Sequence, residues 1–469
     1  MALTGIGQAF ARRTHSLLMF PRFNGLKLFH SRPAIKVHPQ VGMAEEQVTI
    51  GASGLEPGQL VVLRSSVKSE CGKYSFQAHA TYEADSLGRV RVSEQPSLGG
   101  TYSGLHPMGL LWGVMPDAES AKKKTRLAKT DPDIHHWVYN IDLCNGNVPN
   151  ADQDPDEILA SETMASLGPR TAQDRPQLLA SHGFAVFDFK YFSAIGEDLL
   201  TGAPKGQNAY LDCQLFYDIV EFARRHPRID DTRIGISAGC SGGTLALNAI
   251  SRLAEFPVRC MSLQRCSDAL FYYLGIQAPD GSLIHPAPLT KENRYTDVMP
   301  GEDGTLWVKT DFDRHIFDAA NHEDYVTPVE NLTVPTLFLV CGDDQLGPTE
   351  KMYDQAMPSA NRTQAITCFF HIQKAAERMR QAGNGHLVDF VHLPGAGHLL
   401  LSPYLPLGTE SPMYVPDMLD AALYARWGGQ PKLHAEAQVK AWQKMLDFFR
   451  KHLGPVEPLR RDWLSSNSD

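Results

Sequence analysis

The chain has 469 residues, and 44 lysines and arginines stand against 53 aspartates and glutamates, a formal net charge of -9. That balance argues against a nucleic-acid partner, and no run approaches about eighteen uncharged apolar residues, so no transmembrane helix is expected. Hydrophobic content of 43% and charged content of 21% are those of an ordinary globular protein, and the length implies two domains plus a terminal extension.

Residues 1–44 carry Arg12, Arg13, Arg22, Lys27, Arg32 and Lys36 and no acidic residue, with Leu17, Leu18, Phe20 and Phe23 between them. This is the composition of a mitochondrial transit peptide, which predicts a matrix protein and a segment that folding can do without. The alternative is a basic tail on a cytosolic protein. From 45 to 143 short alternating runs such as Leu60-Val61-Val62-Leu63, Tyr74 to Ala80 and Val90-Arg91-Val92 are separated by turn residues, the pattern of a β-sandwich.

Residues 144–180 read as a polar connection with no strand. The text then alternates over 181–456: a strand at Gly183 to Phe189, a helix from Tyr210 to His226, a strand into Ser237, and a helix from Gly242 to Ala254. Strands near Val258 to Leu263, at Pro335 to Val340 and at Val388 to Leu393 follow, with helices from about Phe369 to Ala382 and from Ala435 to Leu453. Such alternation predicts an α/β domain with a mostly parallel sheet covered on both faces. A loop-rich insertion at 264–330, which contains His285, His315 and His322, stands where a lid would sit, and 457–469 is a tail.

Within this domain Gly235-Ile236-Ser237-Ala238-Gly239 fits G-x-S-x-G, the strand-to-helix turn that lifts a serine above a parallel sheet. Asp344 follows the strand that ends at Cys341, and His398 lies in the glycine-rich loop after Leu393. The order Ser237, Asp344, His398 is that of an α/β-hydrolase triad, in which His398 takes the serine proton and Asp344 fixes the imidazole. The Ala238 N–H is the expected oxyanion donor. Cys240 stands near Ser237, but a free cysteine is more ordinarily a small buried apolar residue. The eight cysteines form no C-x-x-C pair and no His/Cys metal spacing, so reduced thiols and no metal are expected.

Several segments carry a resemblance: Ala78-His79-Ala80-Thr81-Tyr82, Leu98 through Trp112, Gly235-Ile236-Ser237, Gly342-Asp343-Asp344, Gly397-His398 with Pro403-Tyr404, and Trp427-Gly428-Gly429-Gln430-Pro431. Together they resemble the acyl-CoA thioesterase family that also contains bile acid-CoA:amino acid N-acyltransferase. The resemblance implies an N-terminal β-sandwich, a C-terminal α/β-hydrolase domain, a Ser-Asp-His or Cys-Asp-His triad, and an acyl-CoA substrate with no cofactor. It also implies a β-hairpin and a strand ending in a glycine-rich oxyanion turn, roughly fifty residues for which 145–180 offers no match. Hydrolysis of medium- to long-chain acyl-CoA through a serine acyl-enzyme is the leading expectation. Transfer to an amino acid ranks second, because in the resembling family it goes with cysteine at the nucleophile. An inactive acyl-CoA-binding variant ranks third.

Overall fold

The computed structural model describes residues 32–128, 136–146, 157–167, 175–189, 209–253, 256–266, 274–278, 280–284, 298–308, 326–346, 367–413 and 423–458. In the N-terminal part, β1 (Ala34–His38), β3 (Thr49–Ser53) and β6 (Val90–Arg91) form one antiparallel sheet in the order β1-β3-β6. The second sheet contains β2 (Val41–Met43), β4 (Leu60–Lys68), β5 (Ser75–Glu83), β7 (Gly99–Gly100), β8 (Met115–Pro116), β9 (His136–Asn145) and β10 (Ile158–Leu167). Its order is β2-β10-β9-β4-β5-β7, with β8 also on β5.

The period of two explains the core. Ile35 and Val37 of β1, Ile50 and Ala52 of β3, and Trp137, Tyr139, Ile141 and Leu143 of β9 turn inward to a single hydrophobic cluster. Each fully buried side chain of this size contributes about 1.5–3 kcal/mol. Between β7 and β8 the chain makes α1 (Gly109–Trp112). Gly100 is at φ 122, and a Cβ there would lie 2.4 Å from the His79 carbonyl oxygen, so glycine is what lets β7 close on β5.

Two expectations change here. Residues 34–43, assigned by composition to a dispensable leader, form β1 and β2, paired to β3 and β10 and burying Ile35 and Val37. Residues 1–31 lie outside the described residues. The connection at 144–180 holds a ten-residue strand, β10, and a helix, α3 (Arg175–Ser181). β10 reads as polar because Met164 and Ser166 alone are buried among its described side chains; its ladder with β9 makes it a strand. The rest of that stretch, 147–156 and 168–174, where the hairpin and oxyanion turn were sought, lies outside the described residues.

In the C-terminal part, β12 (Gly235–Gly239), β13 (Cys260–Gln264), β18 (Thr336–Cys341) and β19 (Val388–Leu393) form a four-stranded sheet in that order, every pair parallel. β18 is buried at all six positions. Leu337, Leu339 and Cys341 face a cluster with Leu178 and Leu179 of α3 and α7 (Pro431–Leu453), while Phe338 and Val340 face the opposite cluster. That second cluster takes Val220 from α4 (Cys213–Arg224), Ala246, Leu247 and Ile250 from α5 (Ser241–Arg252), and Ala375 and Met379 from α6 (Thr367–Gln381). A sheet covered on both faces is what a continuous apolar run requires.

The strand expected at Gly183 to Phe189 is absent among the described residues: 184–189 have no regular structure, and Phe184 packs on Phe449 and Phe187 on Phe222 instead. The insertion is more ordered than its composition suggests. β14 (Leu274–Gln277) runs parallel to β11 (Ala209–Asp212) and pairs with β15 (Leu283–Ile284). β16 (Val298–Pro300) and β17 (Leu306–Val308) join β20 (Glu410–Met413) and β21 (Leu423–Arg426) in a further sheet. His285, His315 and His322 lie outside the described residues.

Candidate active site

β12 and β13 end level with Leu339 of β18, β18 and β19 run two residues further, and the polar groups singled out from the sequence lie in β12 and in the loops beyond β18 and β19. The Asp344 carboxylate is fully buried and accepts two hydrogen bonds, from Leu346 N–H at 3.0 Å on Oδ1 and from His398 Nδ1–H at 2.7 Å on Oδ2. Asp343 does a different job: its Oδ2 accepts from the Gly429 N–H at 3.2 Å, and burial raises its pKa. The choice of the second acid of the pair is therefore the one that meets the histidine.

His398 is 6% exposed and its ring lies 5.4 Å from that of Trp427. Its loop is pressed against the loop after β21. A Cβ on Gly397 would come 2.2 Å from the Gly428 carbonyl oxygen, and one on Gly428 would come 2.1 Å from the Asp343 carbonyl oxygen. Behind them, buried His434 of α7 accepts the Gly397 N–H on Nδ1 at 3.0 Å. Burial, with the Arg265 charge added, pushes the His434 pKa down to about 4, so at neutral pH it is a neutral acceptor.

Ser237 is the middle residue of β12, exposed, with its Oγ 3.6 Å from Met445 Sδ of α7. It is two residues short of the strand's end, and Ala238, proposed to donate to an oxyanion, lies inside the ladder opposite Leu263. The G-x-S-x-G spacing is here the period of a strand. Gly235, Ser237 and Gly239 share one face, where a Cβ on Gly235 would already touch Leu453, Phe449 and Cys260 at 3.2–3.3 Å. Ile236 and Ala238 pack on the other face.

The residue at the strand-to-helix turn is Cys240. It has φ 55 and ψ -135, a conformation that costs a non-glycine residue of order 1–3 kcal/mol and that persists where surrounding structure imposes it. Its N–H donates to the Gln264 carbonyl at 2.9 Å and its carbonyl accepts the first bond of α5 from Thr244 N–H at 3.1 Å. A Cβ on Gly243 would lie 2.9 Å from Cys266 Cβ, so glycine seats α5 close behind the turn. With His398 Nδ1 taken by Asp344, Cys240 is among the groups that act on the His398 ring. Burial alone would lower the His398 pKa. The Asp344 and Cys240 charges and the hydrogen bonds to both outweigh it and raise the pKa to about 9.

The structure thus joins His398 and Asp344 by a hydrogen bond and sets Cys240, not Ser237, at the strand-to-helix turn. Two signals in the sequence point the same way. A turn at Ser237 would leave β12 only residues 234–236, against five and six residues in β13 and β18. Ala238-Gly239-Cys240-Ser241-Gly242 also offers small flanks at the same spacing as Gly235 and Gly239. The residue after Cys240 is Ser241, at the N-terminus of α5, where backbone N–H groups have no intrahelical acceptor.

Known proteins match most of the chain. The family model described as the acyl-CoA thioester hydrolase/BAAT N-terminal region matches residues 45–167, and that described as BAAT / acyl-CoA thioester hydrolase C terminal matches 211–367 and 359–455. Similar proteins include acyl-coenzyme A thioesterase 1 of Homo sapiens, 28% identical over 445 residues, covering 88% of this chain and 95% of that one. Acyl-coenzyme A thioesterase 2, mitochondrial, of Homo sapiens is 27% identical over 450 residues, covering 88% and 83%. Bile acid-CoA:amino acid N-acyltransferase of Mus musculus is 27% identical over 465 residues, covering 89% and 97%. Likeness to solved structures is slight: prolyl oligopeptidase B from Galerina marginata aligns with 91% of this chain and 58% of that one at TM-score 0.31 and 11% identity, and carries no argument. With both halves matched, the chain belongs to the acyl-CoA thioester hydrolase / bile acid-CoA:amino acid N-acyltransferase family.

Proposed function

We propose that this protein takes an acyl group from acyl-CoA onto Cys240 and passes it to an amine, with Asp344 and His398 completing the triad. The observation that carries the reading is the strained Cys240 at the end of β12, acting on a histidine whose Nδ1–H is held by a buried carboxylate. In the first half-reaction Sγ attacks the thioester carbon, the bond from that carbon to CoA sulfur breaks, and His398 returns a proton to the departing thiol. The Ser241 N–H is the backbone donor placed for the developing oxyanion. In the second half an amine attacks the acyl-Cys240 thioester, His398 takes the amine proton, and the electron pair of the breaking C–S bond returns to Sγ, giving amide and free thiol.

The choice of amine over water rests on sulfur. A thioester acyl-enzyme is intrinsically open to aminolysis, whereas an ester on serine suits hydrolysis, so replacing Ser237 by Cys240 in the role of nucleophile reverses the order expected from the sequence. Hydrolysis is the second reading, favoured by the similarity to thioesterases. The acyl chain is proposed to be medium to long. The two N-terminal sheets around one core are proposed to form the β-sandwich, and the parallel sheet the core of an α/β-hydrolase domain.

The experiment is a thiol-release assay with acyl-CoA of several chain lengths, alone and with glycine or taurine, followed by mass spectrometry. An N-acyl amino acid and an acyl adduct on the peptide that contains Cys240 are expected. Free fatty acid as the dominant product in the presence of either amine would replace transfer by hydrolysis. Import is proposed for the acid-free residues 1–31: fused to a fluorescent reporter they should bring it to mitochondria, and a diffuse cytosolic signal would remove that reading.

A further inference from the structure

The segment that follows β21 is bonded, residue by residue, to the two loops that carry Asp344 and His398. The Trp427 carbonyl accepts the His398 N–H at 2.7 Å, and Gly428 forms an antiparallel bridge with Asp344. The Gly429 N–H donates to Asp343 Oδ2 at 3.2 Å, and the Gln430 N–H donates to the Gly395 carbonyl at 2.9 Å. Four consecutive residues thus strap the loop after β18 to the loop after β19. Bonds from rigid neighbours of this kind are what hold reacting groups in one geometry.

Trp427 also sets its side chain against His398. The ring centroids are 5.4 Å apart with the planes 33° from parallel, and the two residues are 8% and 6% exposed. The indole is itself fixed. Its Nε1–H donates to Ser411 Oγ at 2.8 Å, Ser411 is buried on β20 opposite Ala425, and the Trp427 N–H donates to the Thr409 carbonyl at 2.7 Å. An aromatic face within about 6 Å of a cation attracts it, tryptophan most strongly and more so away from water. The contact therefore favours imidazolium over imidazole and one orientation of the ring over others. Other charged groups around His398 are differently placed: Asp344 and Cys240 act on it directly, Asp343 meets Gly429, His434 accepts the Gly397 N–H as a neutral ring, and Arg265 beyond β13 acts on His434 and Cys341.

We propose that Trp427 is a positioning residue for His398, its indole face holding the imidazolium in the plane in which it meets Asp344 and exchanges protons with the reacting groups. This rests on the reading of His398 as the base of the triad, and not on which acceptor receives the acyl group. Asp344 fixes the Nδ1 edge of the imidazole, and the indole fixes its plane. In acylation His398 gives a proton to the departing CoA thiol, and in the second half-reaction it takes one from the attacking group. Both transfers need one orientation of the ring, and neither contributes to holding acyl-CoA in the ground state. Trp427 is therefore expected to act on kcat and on the ionisation of His398, and not on KM.

The test places a series of fluorinated tryptophans at position 427 in the full chain, so that of its six tryptophans only this one changes. Each fluorine drains negative charge from the ring face while the shape and the Nε1–H bond to Ser411 remain. The His398 titration is followed by NMR, with His398→Gln used to assign its signal, and acylation is followed by thiol release. The His398 midpoint should fall stepwise, by about one pH unit from tryptophan to the tetrafluorinated ring, and the alkaline limb of acylation should move with it. Trp427→Leu, which removes the face, should lower kcat about tenfold with the KM for acyl-CoA within about twofold of wild type. A midpoint that stays in place across the fluorinated series overturns the assignment, and this arm decides it even where the leucine variant fails to fold. A raised KM with kcat unchanged in Trp427→Leu also overturns it and makes Trp427 a wall of the acyl site. Failure of the underlying reading shows separately: unchanged turnover in His398→Gln overturns His398 as the base, and the positioning role with it, whatever the titration does.

Discussion

Ser237 in the middle of β12 and Cys240 at the turn beyond its end lie three residues apart and use small neighbours for opposite reasons. At Gly235, Ser237 and Gly239 the small side chains belong to one face of a strand, kept small where Leu453, Phe449 and the Gln264 side chain come close. At Cys240 to Gly243 they belong to a turn that must reverse direction under strain and let α5 start directly behind it. A nucleophile needs the second setting, because only there does the side chain leave the ladder and stand above the strand ends. Spacing alone does not separate the two settings. The place where the strand ends does.

The largest effect expected from this contrast is at Cys240. Cys240→Ala should lower acyl-CoA-dependent thiol release by on the order of 10⁴-fold or more, as removal of a nucleophile does in other triads, with thermal unfolding little changed. Retained turnover in that variant would break the comparison outright. Next comes Asp344→Asn, with a loss of about 10⁴-fold if the carboxylate sets the imidazole tautomer. This variant also sharpens the electrostatics. The raised pKa of His398 keeps the imidazolium, and so the ion pair with Asp344, up to about pH 9. The corresponding stability is fully present below the unfolded value near 6.5 and is lost as pH rises through about 9. Wild-type acylation should therefore fall above about pH 9, and in Asp344→Asn the fall should move to lower pH. A limb that stays in place would exclude Asp344 as the source of the raised value.

A smaller effect should come from the support behind the His398 loop. His434 is buried as a neutral ring with its pKa lowered to about 4, so the unfolded chain binds a proton that the folded one refuses. Its cost is absent above about pH 6.5 and grows as pH falls toward 4, reaching on the order of 3 kcal/mol. His434→Gln should flatten the loss of stability between those pH values, measured by denaturant unfolding at each pH. An unchanged acid limb would mean that another group carries it.

Much of this was legible because β18 and β19 are marked by their surroundings. Thr336 to Cys341 is apolar at nearly every position because both faces are covered, and the loops beyond β18 and β19 carry Asp344 and His398. What was not legible came from elements whose partners, not their side chains, define them. β1 hides among basic residues because only Ile35 and Val37 need to face inward. β10 is a strand through its pairing with β9 and β2. Phe184 and Phe187 look like a strand but spend their apolar surface on Phe449 and Phe222.

The smallest effect is the most discriminating. Ser237 is exposed, its Oγ reaches only Met445 Sδ at 3.6 Å, and a hydroxyl against a thioether is a weak partner on either side. Ser237→Ala keeps the small volume that this face of β12 needs and leaves no buried group unsatisfied, so unfolding should change by no more than about 0.5 kcal/mol. Turnover should stay within about twofold of wild type, since Cys240, His398 and Asp344 keep their bonds and a twofold change is below half a kcal/mol of barrier. Activity lost in Ser237→Ala, with the fold intact by thermal unfolding, would put the nucleophile back in the middle of β12. It would then need a route from an in-ladder side chain to His398, for which the strand would have to end three residues earlier and release its pairing with Leu263 and Gln264. The hydrogen bond from the Cys240 N–H to Gln264 and the five-residue register of β12 with β13 hold that end closed.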